Sequence, residues 1–447
     1  MILLLLLSLL LAPTYDEPWR PQYHFTPAKN WMNDPNGLVY YKGEYHLFYQ
    51  YNPFGNKWGH MSWGHAVSSD LLHWKELPVA LPEENGIMIF SGSAAVDEAN
   101  SRLAAIYTGH TPERQTQNVA FSTDRGRTWT KYSGNPVLDL GMKDFRDPKV
   151  IRYRDHWVMV AALPREKKVR FFASSDLTKW EALSDFGPAG ATGGIWECPD
   201  LFELDGKWVL VVNLNPGGVA GGSGGQYFIG QFDGKTLRAE NTEPLWIDYG
   251  RDLYATVSFY GTPGRKVWMG WMSNWQYAGD EPTSPWRTAQ SLPRELRVKN
   301  GRVVQSPVRE VAALRGAPVK DISRFRGDSY ELQAELRDGA EVRLRKGRDE
   351  QTVLGLRGGE LFLDRTRSGD VSFHKSFAGV QKAPVTPGGP VRVQVFVDRS
   401  SVEVFANDGE VTITDRIFPG PESLGIEITG EVRDLRVWPL RSVWQQR

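Results

Sequence analysis

One structural unit recurs along this chain, and the recurrence limits the folds open to it. Asp34-Pro35 leads into Leu38-Val39-Tyr40-Tyr41, a Lys42-Gly43-Glu44 turn and Tyr45-His46-Leu47-Phe48-Tyr49. Asp147-Pro148 leads into Val150-Ile151-Arg152-Tyr153, an Arg154-Asp155 turn and Trp157-Val158-Met159-Val160. Glu197-Cys198-Pro199 leads into Leu201-Phe202-Glu203-Leu204, an Asp205-Gly206 turn and Trp208-Val209-Leu210-Val211. Each copy reads as a β-hairpin whose first strand begins at a proline, where the missing N–H is not yet needed by the ladder. A lone Asp before Pro would mean a turn, whereas three copies in register place three acids at one equivalent position. A second motif, Ser-Asp followed by Trp, recurs around Asp70, Asp124 and Asp176, with a degenerate copy at Asp233, at intervals of a little over fifty residues.

Short strands and Gly, Asn and Asp turns on that period predict an all-β fold beginning with a β-propeller, whose blades carry about four strands each around a channel. Blade heads at 34, 90, 147, 197 and 252, the second supplied by Phe90-Ser91-Gly92-Ser93, predict five blades. Inner strands begin at the channel mouth, so Asp34, Asp147 and Glu197 are expected to line one funnel. The Ser-Asp…Trp segments read as turn staples on the outer rim.

Past the fifth unit, Ser306 to Gly316 carries a Ser cap, Pro in the first turn and a closing Gly, which predicts a short helix. Beyond it the pattern changes to period-two alternation, as in Val391-Arg392-Val393-Gln394-Val395-Phe396-Val397, with an Asn407-Asp408-Gly409 turn before Val411-Thr412-Ile413. Strands buried on one face at this density predict a C-terminal β-sandwich. The expected division is residues 1–19 as signal peptide and leader, 20–305 as the propeller, 306–319 as a helical linker and 320–447 as the sandwich.

The 53 basic and 53 acidic residues cancel, which argues against a nucleic-acid or polyanion partner. Ile2 to Ala12 are almost all Leu, too short to span a bilayer but the length of a secretory apolar region, although no basic residue precedes them. A secreted or periplasmic protein without stable membrane insertion is expected. The lone Cys198 allows no internal disulfide and reads as a packing residue. His60 and His65 read as packed or hydrogen-bonded side chains. The 17 tryptophans exceed what a core needs and suit sugar stacking, although most are accounted for as blade core.

Glycosidic cleavage needs two carboxylates across a sugar, one to attack or activate water and one to protonate the leaving oxygen. The third acid needs a separate role. Arg146 is expected to keep the adjacent Asp147 ionised and to help orient sugar hydroxyls. The apolar neighbours Trp196 and Cys198 are expected to raise the pKa of Glu197 and suit it to general-acid work. Trp271 and Trp275, on the fifth blade, are candidates for stacking a second sugar unit, with blade packing as the other reading.

The motifs Trp31-Met32-Asn33-Asp34-Pro35-Asn36-Gly37, Phe145-Arg146-Asp147-Pro148 and Trp196-Glu197-Cys198-Pro199-Asp200 resemble the three signatures of glycoside hydrolase family 32, the family of invertases, inulinases and levanases. Gln50-Tyr51-Asn52-Pro53, Trp58 to His65 and Phe90-Ser91-Gly92-Ser93 extend the resemblance, which runs from about Tyr23 to the C-terminus. It implies a five-bladed propeller with a C-terminal sandwich and a retaining double displacement on β-fructofuranosyl groups that needs neither a metal nor a cofactor. Asp34 would be the nucleophile, Glu197 the acid/base and Asp147 the transition-state stabiliser. Asn33, Gln50, Trp58, Phe90, Ser91 and Arg146 would form the fructose pocket. The segments 78–93 and 270–277 are more similar to bacterial exo-acting fructan hydrolases, implying levan or inulin as substrate and sucrose as a further one. Sucrose-preferring invertase and endo-acting fructanase are the nearest alternatives, and an arabinose-releasing enzyme or a non-catalytic sugar-binding propeller more distant ones.

Overall fold

The computed structural model describes residues 15–444; the Leu-rich stretch read as a secretory signal lies outside the described residues. Five sheets of antiparallel strands are arranged around one axis. Their innermost strands are Asn30–Tyr41, Met88–Asp97, Arg146–Tyr153, Ile195–Leu204 and Tyr254–Ser258. The second strand of the third blade is nearly all apolar, Trp157-Val158-Met159-Val160-Ala161-Ala162-Leu163, because neighbouring blades bury both of its faces and no period-two alternation is required. The four rim turns are staples: the carboxylates of Asp70, Asp124, Asp176 and Asp233 each accept backbone N–H groups two to four residues on.

The ring closes in two places. Trp286–Arg287, reached from the fifth blade, pairs in parallel with Asn30 and Trp31 at the edge of the first. At the other end Tyr260 N donates to the Leu38 carbonyl at 2.8 Å and Tyr40 N to the Tyr260 carbonyl at 2.9 Å.

The segment read as a helix after the fifth blade is a 3-10 helix over Arg309–Leu314. Ser306 and Pro307 do not cap it. They end the strand Arg302–Pro307, paired with Glu295 and Arg294, because ladder pairing across the outer edge of the blade outcompetes a local cap. The sandwich follows as two five-stranded sheets, one ordered from Val411–Arg416 through Ser401–Ala406, Val391–Asp398 and Tyr330–Leu336 to Val432–Pro439. Val391, Val393, Val395 and Val397 face its core, while Phe396 and Phe405, on the opposite face, pack against the propeller.

That second face is also ionic. Arg294 of the fifth blade lies 2.5 Å from Glu403 and 3.1 Å from Asp248. His24 stands between Asp398 and Glu403 at 2.8 Å from each, with all three side chains fully buried. The N-terminal segment and the fifth blade are thereby fastened to one strand pair of the sandwich.

Candidate active site

Every inner strand breaks register near the funnel mouth: between Met32 and Pro35, Phe90 and Gly92, Glu197 and Asp200, and Tyr254 and Val257, and opposite Val160 and Ala162 in the third blade. Bulges of this kind re-aim side chains and interrupt alternation. In the third, fourth and fifth blades the bulge includes a non-glycine residue at positive φ, Asp147 at 63°, Cys198 at 45° and Ala255 at 51°. Two consecutive side chains therefore reach the funnel in one blade.

This geometry corrects the sequence frame by one residue. The prolines and the positive-φ positions align Asp147 with Cys198 and Ala255. Glu197 accordingly occupies the place of Arg146 and Tyr254. The head of the fifth inner strand is Tyr254, not Asp252, whose carboxylate is buried in the junction with the sandwich against Arg365, Tyr277 and the backbone of Arg416.

Asp34 is 7% exposed. Its Oδ2 accepts from Ser91 Oγ at 2.7 Å and from the Cys198 thiol at 3.4 Å, and its Oδ1 accepts from Asn33 Nδ2 at 3.0 Å. Asn33 is held in turn by Trp31 Nε1 at 2.7 Å. Burial raises the pKa of Asp34, and the hydrogen bonds from Ser91 and Asn33 offset only part of that rise. Cys198 was expected only to pack. Its thiol, kept protonated by burial and by the surrounding carboxylates, donates to Asp34, and its backbone N–H donates to Asp147 Oδ2 at 2.9 Å.

Arg146 lowers the pKa of Asp147 as expected, but by less than burial raises it. Burial pushes its carboxyl up to about 7 against the pull of Arg146, whose Nε lies 3.8 Å away. Arg146 turns instead to Glu197, donating to Oε1 from Nη2 at 2.9 Å and from Nε at 3.2 Å. Asp144 and Gln115 accept from its Nη1 at 3.1 and 3.2 Å. The setting of Glu197 is not the apolar one its chain neighbours implied. Trp196 is turned into the blade core, and the Glu197 carboxylate lies between the Arg146 guanidinium and the Tyr254 hydroxyl, which donates to Oε2.

Of the other expected pocket residues, Gln50 is buried and donates from Nε2 to the Ile89 carbonyl at 2.9 Å, while its Oε1 accepts from no group among the described residues. Trp58, 46% exposed, meets the half-buried Phe90 edge to face. Trp271 is not a stacking platform. It has no exposed surface, its Nε1 donates to Thr288 Oγ1 at 2.9 Å, and it packs behind Trp31 and Tyr254. Trp275 is the partly exposed member of that cluster. Tyr254, Gln115, Asp144 and Thr108, whose Oγ1 accepts from Asp147 N at 3.0 Å, were not singled out from sequence. Only Tyr254 had a signal, its place at the fifth repeat.

Deeper on the axis the channel is obstructed. Lys149 Nζ lies 2.9 Å from Asp200 and donates to the Ser258 carbonyl at 2.7 Å. A cavity of about 10 Å³, the size of one water, remains beneath Asp147 and Cys198. A funnel with one open end, three carboxylates and one guanidinium can hold the end of a polyhydroxylated chain and supply both a nucleophile and a proton.

A profile of the N-terminal domain of glycosyl hydrolases family 32 matches residues 24–307, and one of the family's C-terminal domain matches residues 296–439. The levanase of Bacillus subtilis (strain 168) is 49% identical over 96% of this chain and 72% of its own. The extracellular exo-inulinase of Aspergillus awamori is 38% identical over 98% of each chain, and a crystal structure of exo-inulinase from that fungus superposes with a TM-score of 0.90 at 38% identity, covering 96% of this chain and 100% of that one. The β-fructofuranosidase of Schwanniomyces occidentalis complexed with fructosyl-erythritol superposes with a TM-score of 0.83 at 31% identity, covering 97% of this chain and 96% of that one.

Proposed function

From the premise that the chain belongs to glycosyl hydrolase family 32, we propose that this glycoside hydrolase is a retaining, exo-acting β-fructofuranosidase that releases terminal β-D-fructosyl units from levan or inulin and cleaves sucrose as well. The observation that carries the reading is the convergence of Asp34, Asp147 and Glu197 from three blades on one funnel, with Arg146 among them. The relatives named levanase, exo-inulinase and β-fructofuranosidase support the substrate class.

In this reading Asp34 attacks the anomeric carbon of the terminal fructosyl unit, forming a carbon–oxygen bond as the glycosidic bond breaks. Protonated Glu197 gives its proton to the leaving oxygen, so the departing sugar leaves as an alcohol. A water then loses a proton to Glu197 and attacks the same carbon, releasing fructose and restoring the Asp34 carboxylate. Ser91, Asn33 and Cys198 hold the attacking carboxylate in one orientation. Arg146 and Tyr254 hold Glu197 in place. Asp147 receives sugar hydroxyls and is fixed from behind by the Cys198 N–H. The extracellular naming of the fungal exo-inulinase supports export of this chain too.

The test is fructose release from sucrose, inulin and levan assayed side by side. Activity on all three with faster turnover of a fructan is expected. Arabinose release from arabinan without fructose release from any of the three would overturn the proposal.

A further inference from the structure

The apolar packing between the first and second blades takes in Ile89, Ala105, Tyr107 and Ala120. Toward the funnel end, the same face of the second blade continues as the floor of a separate cleft of about 280 Å³, walled by Ile87 and Tyr132. This cleft has the properties of a ligand site. Ile87 is 42% exposed and Tyr132 37%, so two of the six large apolar side chains exposed among the described residues stand at one place. Tyr107 also lines it. That side chain is 3% exposed, and its hydroxyl makes no hydrogen bond among the described residues, which leaves it free to donate to a ligand. Burial pushes its pKa up, so it stays a donor.

The floor is bare by construction. A Cβ at Gly109 would come within 2.7 Å of Asn118 Nδ2 and 3.3 Å of an Ile87 methyl. Gly134 leaves the place in which the Tyr132 ring lies, since a Cβ there would meet Cε1 at 2.6 Å. The charges at the rim pair with one another: Lys131 with Glu84 at 2.8 Å, and Arg114 with Asp139 at 2.8 Å. An uncharged ligand with apolar ring faces and many hydroxyls fits such a cleft better than an ion. The cleft is also tied to the funnel. Ile87 and Ile89 belong to the stretch that supplies Phe90 and Ser91, and four residues of extended chain span about 13 Å.

We propose that this cleft binds a β-fructofuranosyl segment of the polymer some units behind the chain end held in the funnel. It deepens the reading given above and rests on it. The cleft raises affinity for long fructan and makes no contact with sucrose, which is too short to reach it.

The test uses the full chain carrying Tyr132→Ala or Tyr107→Phe, assayed on sucrose, on fructo-oligosaccharides of graded length and on levan and inulin. KM for the polymers is expected to rise about three- to tenfold for each variant, the size of one lost aromatic contact or one lost hydrogen bond. Polymer kcat and the sucrose kinetics stay at the wild-type values, and the gain in kcat/KM with oligosaccharide length flattens. Equal losses on sucrose and polymer would overturn the proposal in favour of blade packing. So would an unchanged polymer KM, or a raised one with the length dependence intact, which would mean that a second, separate chain sits in the cleft. Wild-type enzyme that cuts fructans alongside variants of unchanged KM sinks this proposal alone, whereas wild type inactive on every fructan and on sucrose sinks the functional reading and this one with it. Tyr132 is exposed, so its variant carries the test should Tyr107→Phe not fold.

Discussion

Asp34 and Glu197 lie in one funnel but are held by different groups, and single substitutions read the difference. Asp34→Asn and Glu197→Gln should each lower kcat by about a thousandfold or more while the unfolding temperature stays near wild type, since each removes a covalent or proton-transfer step. Azide should restore turnover of an activated substrate to Glu197→Ala more than to Asp34→Ala. Wild-type activity in Asp34→Asn would remove that residue from the reaction. Ser91 gives a finer test. Its hydrogen bond favours the ionised form of Asp34, so Ser91→Ala should raise the Asp34 pKa further. The nucleophile must be ionised to attack, so the acid limb of kcat/KM should move to higher pH. A limb that stays in place would mean that another group sets it.

At the scale of elements, the strand pair Val391–Asp398 and Ser401–Ala406 joins the sandwich to the propeller through His24. Burial opposes charge on His24, but its hydrogen bonds to Asp398 and Glu403 outweigh it and raise its pKa above the ordinary 6.5. Burial likewise opposes charge on the two carboxylates. His24 brings Asp398 below its ordinary 3.8, and Arg294 with His24 brings Glu403 below its ordinary 4.5. The His24 contribution to stability is complete below pH 6.5 and is lost as pH rises through its raised folded value. The carboxylate contributions are complete above their ordinary values and are lost as pH falls through the depressed ones. The unfolding temperature should therefore peak between about pH 5 and 6. His24→Ala should cost about 3–5 kcal/mol, because among the described residues it leaves Asp398 with no ion-pair partner and Glu403 with Arg294 alone. A variant whose stability falls on the alkaline side as steeply as wild type would show that His24 does not set that limb.

For the whole molecule, five blades around an axis obstructed by Lys149, Asp200 and Ser258 leave a funnel with one open end. In the exo-acting reading, a chain end enters this funnel to reach Asp34 and Glu197. Early digests of levan or inulin should contain fructose and a slowly shortening polymer, as seen by chromatography. Predominant short oligosaccharides would require a side opening to the funnel and endo attack. Retention with carboxyls about 5–5.5 Å apart predicts β-fructose as the first sugar released, followed by NMR. If α-fructose came first, the mechanism would be inverting and Asp34 would act on water.

The blade count, the rim staples, the sandwich and the meeting of Asp34, Asp147 and Glu197 at one mouth were legible in the sequence, because each rests on local patterns: the period of apolar residues, turn chemistry and repeat spacing. Asn33, Ser91 and Arg146 were legible only through the resemblance of their motifs to the family's. Only tertiary structure decided where those side chains point and what they meet. The bulges with positive φ at Asp147 and Cys198 move Glu197 one residue off the repeat frame, and alternation along the strand carries no trace of that shift. Arg146 lies beside Asp147 in the chain but bonds to Glu197 from another blade, and Tyr254 completes the pair from a third. Trp271 and Trp275 look alike in sequence, yet the closing of the fifth blade on the first buries Trp271 and leaves Trp275 partly open. Strand and turn are set by a few neighbouring residues, whereas contacts across the axis depend on how five sheets pack against one another.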